Sequence, residues 1–479
     1  MSDDFKQQVE EYLASSSHTS RRHVHPRLLK MLELGGMSTA FTRGEGPYLY
    51  DSDGTRYLDF LAGGGVYFIG RNHPKVREYM QAVLSMDLPN LCVVNASVLG
   101  GQLAERLIGL TGSHFSKVVY ANSGTEATEV MVRFARYVTG RRRFLYLEGA
   151  FHGRSYAAIS MCGFSELKEG MDPILPTCTP IKPNDLRQLR RELRHGDVAG
   201  VIMEPVLGMT GQVLDPGYMR EAEILCERYG SIFMADEVQT GFGRTGEWFA
   251  TISQGIRPGM MSLSKTLSGG QAPISAVLVT EDVYEAVYKK FTSGPIYFST
   301  FAENNLSMAA ALATLDVLEE MDAPAEAAEK GAYLREGIEE LADRYDVIDR
   351  VQGKGLMLAV YFKDSAKPTL LLQQKLLQIP DAAAFAAAVN VDMYRRQKVI
   401  VQIPGPGLNA IKILPPVVIS QDDMDLFLHS FEDTLLECYG RQGPLVSLGK
   451  GILKNVVETA VEAVPENLVP PALKKKSPA

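Results

Sequence analysis

The chain has 479 residues, of which 46% are hydrophobic and 22% charged, and carries a formal net charge of −8. That balance describes a soluble globular chain able to bury a large core in two or three lobes, and it offers no footing for a nucleic-acid partner. Met1 to Ser20 lacks the apolar stretch of a signal peptide, and no segment approaches the roughly 18 apolar residues of a membrane span, so a cytoplasmic protein without membrane contact is expected.

In chain order, the first predicted element is a hairpin over Tyr48–Tyr57, turning at Asp51-Ser52-Asp53-Gly54. Short β-branched or aromatic runs follow at Lys117–Tyr120, Phe144–Leu147, Val198–Met203, Ser231–Ala235, Met260–Leu263 and Ala276–Val279, separated by helical patterns. Strands alternating with helices at this spacing predict an α/β fold with a mainly parallel sheet covered on both faces. A C-terminal part opens near Ala323-Pro324 and resumes the alternation with strand signals at Gly355–Tyr361, Val399–Val401 and Lys412–Leu414. The expected organisation is a smaller α/β domain built from 1–75 and 326–440, a large domain over 76–325, and a tail over 441–479. In the tail, Ile452, Val456, Ala460 and Val464 form a narrow helical stripe ahead of Pro470-Pro471 and Lys474-Lys475-Lys476. It reads either as a helix packed on its own subunit, a frayed end, or a partner or membrane-surface helix. Cys92, Cys162, Cys178, Cys226 and Cys438 are widely spaced and free of CxxC pairs, which fits a reducing compartment and core positions, with no structural metal expected.

The chemistry concentrates where strands end. In open α/β sheets the ligand lies beyond the carboxyl ends of the strands. Ser123-Gly124-Thr125, Phe151-His152-Gly153, Glu204-Pro205, Asp236-Glu237 and Lys265 all fall at such ends. Lys265 closes the apolar run Met261-Ser262-Leu263-Ser264. A buried ammonium is costly unless it is paired or chemically consumed, which points to covalent chemistry with a carbonyl. Pyridoxal chemistry needs such a lysine for a Schiff base, an acid at the pyridine nitrogen, a phosphate cradle and an apolar group on each ring face. Asp236 supplies the acid, although a lone Asp at a strand end also reads as a helix cap. Asn122-Ser123-Gly124-Thr125-Glu126 opens a helix patterned by Ala127, Val130, Met131 and Phe134, and so offers free N–H groups and hydroxyls to an anion. The same residues read as an ordinary capping box. Phe151 is a stacking candidate, and a core aromatic otherwise.

Together, Asn122-Ser123-Gly124-Thr125-Glu126-Ala127, Phe151-His152-Gly153, Glu204-Pro205-Val206, the run Asp236 to Gly246, Ser264-Lys265 and Gly353-Lys354-Gly355-Leu356-Met357 resemble the class III pyridoxal-phosphate aminotransferases. The match runs from about Phe41 to Cys438, and its ordering resembles the ornithine, acetylornithine and putrescine branch of omega-aminotransferases. The resemblance implies fold type I, a homodimer with shared active sites, pyridoxal 5′-phosphate as cofactor, and small amine and oxo-acid or aldehyde substrates. It makes Lys265 the lysine that holds the cofactor and Asp236 the partner of the pyridine nitrogen. Val238 and Phe151 become the two ring faces, with His152 beside them, and Gln239 the contact of the phenolic oxygen. Ser123, Gly124 and Thr125 would bind phosphate from one subunit, and Ser299 and Thr300 from its neighbour. The core motifs are equally compatible with a decarboxylase, an aminomutase or a phospho-lyase of the same fold.

Several positions depart from that pattern. After Phe298-Ser299-Thr300-Phe301 the family continues Gly-Gly-Asn-Pro, where this chain has Ala302-Glu303-Asn304-Asn305. In the ornithine-type branch a glutamate after Glu-Pro-x-x-Gly pairs with an arginine just before Pro-Pro; here the two positions are Met209 and Lys412. Loss of the acid and of the guanidinium removes a bidentate carboxylate clamp. The expectation is a pocket for a terminal amine or amino aldehyde on a less polar chain, with 2-oxoglutarate held less stringently. The alternative is that Lys412 binds a carboxylate as a point charge and Met209 fills space. Tyr67, Phe68 and Trp248 are pocket aromatics or core and dimer contacts, His73 reads as a turn histidine, and Arg71, standing where the family has histidine, is given no role.

Overall fold

A computed structural model describes residues 2–90, 97–171, 174–175, 177–289, 296–368, 370–371, 374–375 and 383–440. The tail 441–479 and Cys92, both singled out in the sequence, lie outside the described residues. The strands are β1 (Phe41–Glu45), β2 (Tyr48–Asp51), β3 (Arg56–Asp59), β4 (Lys117–Ala121), β5 (Arg143–Leu147), β6 (Cys178–Ile181) and β7 (Val198–Met203). They continue with β8 (Ile232–Asp236), β9 (Met260–Leu263), β10 (Ser275–Val279), β11 (Ile348–Lys354), β12 (Met357–Phe362), β13 (Val399–Ile400) and β14 (Ala410–Ile413).

Seven of these form the central sheet, in the order β4-β10-β9-β8-β7-β5-β6. Pairing is parallel from β9 through β8, β7 and β5 to β6. Only β10 runs antiparallel, to both β4 and β9. Every residue of β7 and of β10 is buried, as expected of strands covered on both faces and written as continuous apolar runs. The helix Gly124–Thr139 lies against the sheet through Ala127, Val130, Met131, Phe134 and Ala135 and ends on left-handed Gly140.

A four-stranded sheet, β1-β2-β3-β13, joins the N-terminal hairpin to a strand from the C-terminal part, with β13 parallel to β3. The hairpin turn is held by Asp51, whose Oδ1 accepts from the backbone N–H groups of Asp53 at 3.0 Å and Thr55 at 2.8 Å. A three-stranded antiparallel sheet, β11-β12-β14, completes the C-terminal part. Among the described residues no helix is long and apolar enough to cross a membrane.

Because β4 and β9 both run antiparallel to β10, they run parallel to each other. The carboxyl ends of β4, β5, β7, β8 and β9 therefore open on one edge of the sheet, and five loops converge there: Asn122–Thr125, Phe151–Gly153, Glu204–Met209, Asp236–Gln239 and Ser264–Lys265.

Candidate active site

Asp236 is the last residue of β8 and is 4% exposed. Its Oδ1 accepts from Val238 N–H at 3.0 Å and from the Ser262 hydroxyl at 3.1 Å, and its Oδ2 lies 2.7 Å from His152 Nδ1. Burial alone would push His152 down, but the hydrogen bond and charge of Asp236, with Glu204 adding, outweigh it and hold the imidazole above its ordinary pKa. The result is a charge-assisted pair that fixes the carboxylate beneath the site. His152 Nε2 is buried without a hydrogen-bond partner.

Asp236 sits opposite Ser262 in the β8–β9 register, so Lys265 lies three residues beyond the partner of that carboxylate. Burial pulls the Lys265 amine below the ordinary lysine range, against the charges of Asp236 and Glu204. No described residue hydrogen-bonds its Nζ. Its backbone is left-handed at φ 45°, which costs a residue with a Cβ about 1 kcal/mol and turns the chain sharply out of β9.

The loop after β4 does two things at once. Ser123 Oγ caps the helix, accepting from Glu126 N–H at 3.4 Å, but Glu126 Oε2 accepts from Asn122 N–H at 2.6 Å rather than from Ser123, so the reciprocal bond of the expected capping box is not made. Gly124 faces Val238: a Cβ added there would lie 3.0 Å from Val238 Cγ1, so the missing side chain keeps the helix N-terminus open beside that residue. Thr125 Oγ1 is turned to the next loop, where it accepts from the backbone N–H groups of Arg154 at 3.2 Å and Ser155 at 2.9 Å. Ser299 Oγ accepts from Asn122 Nδ2 of the same chain at 2.7 Å.

Glu204, quoted in the sequence only as part of a motif, ties two of the loops. Its oxygens accept from Phe151 N–H at 2.9 Å and Gly208 N–H at 2.7 Å, and burial holds its carboxyl above the usual range. Ser262, beneath Asp236, had no role in the sequence. Its signal was a lone hydroxyl in the apolar strand β9. Gln239 Nε2 donates to Gly64 carbonyl at 2.8 Å, and its Oε1 accepts from Lys412 Nζ at 2.6 Å. Lys412 also donates to the Gly208 carbonyl. Burial, with the charge of Lys265 adding, pulls Lys412 down to about 7. Met209 packs in an apolar cluster with Phe151, Ile159, Cys162, Phe164 and Leu408.

Among the other candidates, Phe68 is wholly buried under the Arg244 guanidinium, and Trp248 packs on the main core. Tyr67 is covered by Arg71, which reaches Asp59 through two nitrogens at 3.2 and 2.6 Å. Arg71 therefore serves the fold. His73 precedes the helix Pro74–Leu84, and burial lowers its pKa.

An acid and an unpartnered lysine at the ends of adjacent parallel strands, next to an open helix N-terminus, define a lysine-dependent α/β enzyme. The chain belongs to the aminotransferase class-III family, whose model matches residues 33–435. It is 28% identical over 440 residues to the aminotransferase PigE of Serratia sp. (strain ATCC 39006), covering 85% of this chain. The chain spans about half, 52%, of the length of that relative. Among solved structures it resembles an amine transaminase from an uncultivated Pseudomonas species, at 27% identity and TM-score 0.75, covering 84% of this chain and 95% of that one. The ornithine aminotransferase of Toxoplasma gondii ME49 shares the fold at 24% identity and TM-score 0.74, covering 83% and 90%. The family's cofactor is pyridoxal 5′-phosphate, and the donor set fits it: a carboxylate held by three donors, a half-buried lysine whose desolvated amine has no described hydrogen-bond partner, a glycine-opened helix start, and Val238 and Phe151 beside them.

Proposed function

We propose that this chain is an aminotransferase that moves an amino group, the terminal one of its donor, from an amine or amino acid to an oxo-acid or aldehyde in two successive half-reactions. The observation that carries this reading is the placement of Asp236 and Lys265 on neighbouring strands at one sheet edge, the acid fixed by His152 and the amine desolvated.

Bound at this edge, pyridoxal 5′-phosphate supplies an electron sink for the bonds of the amine-bearing carbon. The rest falls to the chain. Lys265 holds the cofactor covalently and, once displaced by substrate, moves a proton to and from the substrate carbon. Its desolvated position favours the neutral, basic amine that this step needs. Asp236 keeps a proton on the ring nitrogen, and His152 and Ser262 hold Asp236 in place. Val238 and Phe151 would flank the ring, Gln239 would meet the phenolic oxygen, and Ser123, Gly124 and Thr125 would receive the phosphate at the helix start. In a homodimer, Ser299 and Thr300 would add hydroxyls across the interface. A reducing, cytoplasmic setting is part of the proposal, supported by the free thiols of Cys162, Cys178, Cys226 and Cys438.

The test is a half-reaction. With an amine and no oxo-acid, the wild-type protein should pass once to its aminated cofactor form and stop. Lys265→Ala should lose both turnover and borohydride trapping of the cofactor. Sustained turnover without an acceptor would instead mark a lyase or mutase.

A further inference from the structure

Lys412 stands where the ornithine-type relatives carry the arginine of a carboxylate clamp, yet its surroundings are not those of a clamp. Lys412 is almost wholly buried and two of its N–H bonds are spent, one on Gln239 Oε1 and one on the Gly208 carbonyl. A carboxylate arriving here would find at most one N–H in place of a two-pronged guanidinium. It would also meet the charge of Glu204, which is near enough to act on Lys412.

What the ammonium does accomplish is visible in Gln239. A primary amide has a donor end and an acceptor end. Lys412 donates to Gln239 Oε1, so that end of the amide faces it, and Nε2 is turned the other way, onto the Gly64 carbonyl. The amide is therefore locked in one of its two orientations, with the second N–H of Nε2 left for the cofactor's phenolic oxygen. Next to this lock the wall is apolar. Met209 packs with Phe151, Phe164 and Leu408, and its Cε would lie 2.9 Å from a Cβ added at Gly405.

Two of the described cations nearby are spent elsewhere. Arg244 gives its guanidinium to the carbonyls of Leu356, Pro415 and Gly65, and Arg71 is held by Asp59. Arg154 is exposed, over the Phe151 ring at 5.8 Å.

We infer that Lys412 is a positioning residue for Gln239 rather than a ligand for a substrate carboxylate, and that the Met209 wall receives an uncharged chain. The enzyme then exchanges the amino group between amines and aldehydes or ketones with apolar chains, in preference to a dicarboxylate pair. This rests on the aminotransferase reading above.

The experiment uses the holoenzyme, with n-hexylamine for the first half-reaction and hexanal, pyruvate or 2-oxoglutarate for the second. The expected kcat/KM for hexanal exceeds that for 2-oxoglutarate by about tenfold or more, and Lys412→Met leaves this ratio within about threefold. Without any substrate, Lys412→Met should move the pH midpoint of the visible cofactor band by about half a unit or more, because the amide is released. Lys412→Gln, which keeps a donor toward Gln239, should restore much of that midpoint. A preference for 2-oxoglutarate overturns the substrate class, whether it is lost in Lys412→Met or in Arg154→Ala. An unmoved midpoint in Lys412→Met overturns the positioning role. The wild-type acceptor ratio decides the substrate class even if the variant does not fold. Failure of every amine to change the cofactor band would instead bring down the aminotransferase reading itself.

Discussion

The Asp236–His152 pair is where burial and charge oppose each other most directly. Both groups are out of water, and at 2.7 Å the carboxylate and the imidazole form a charge-assisted pair. Since the folded histidine titrates above its ordinary value, the unfolded chain releases its proton first as pH rises. The pair's stabilisation is therefore complete below the ordinary histidine pKa and is lost as pH climbs through the raised one. His152→Phe should cost about 2–3 kcal/mol at about pH 6, where a charge-assisted bond disappears and Asp236 Oδ2 is stranded. The deficit should shrink toward alkaline pH. Urea melts of the two proteins at several pH values measure it, and a deficit that grows with pH contradicts the assignment.

Between elements, one tie that joins three segments is Arg244, which is fully buried and reaches the carbonyls of Gly65, Leu356 and Pro415. Gly65 follows β3, Leu356 forms the β11–β12 turn, and Pro415 follows β14. One planar fork thus locks the N-terminal and C-terminal parts against the loop after β8. Arg244→Lys keeps the charge but cannot span those acceptors, and should lower stability by about 2–4 kcal/mol, read as a fall in the urea midpoint at constant slope. An unchanged midpoint would mean the carbonyls are satisfied without it. Such ties explain what the sequence displays and what it conceals. The strands β4, β5, β7, β9 and β10 are apolar runs and were legible within a residue or two. β1 reads Phe-Thr-Arg-Gly-Glu, β6 carries Pro180, and β11 is mostly half-buried or exposed with Asp349 and Arg350 in it; none has a strand's period-2 signal. Asp236 and Lys265 were legible because one closes its strand and the other stands two residues past the end of the next. Glu204's grip on two loops, the β3–β13 pairing and the Lys412–Gln239 contact join residues far apart in the chain, and no local pattern encodes them.

At the scale of the whole molecule, one cavity among the described residues lies away from Lys265. It is a groove of about 640 Å³ floored by Val118–Tyr120 and walled by Met86, Leu88, Val98 and Tyr297–Thr300. Its rim carries exposed apolar side chains: Val98 is 78% and Phe298 61% exposed, and Phe301, next in the chain to the wall residue Thr300, is also 61% exposed. Side chains of that kind grouped together are unfavourable in water and mark a contact surface. The groove also reaches the active site from behind, because Ser299 on its wall accepts from Asn122 at the start of the phosphate cradle. A second copy seated here would bury the rim and press on the cradle at the same time, coupling cofactor retention to association. The protein should therefore run as twice its 52.6 kDa chain mass in light scattering. Phe301→Glu, which places a charge on the exposed apolar surface beside the groove, should shift it toward the monomer and weaken pyridoxal 5′-phosphate retention by about tenfold or more. A wild-type monomer that holds its cofactor tightly, or a monomeric Phe301→Glu that holds it as well as the parent, would separate the groove from the site and refute the coupling.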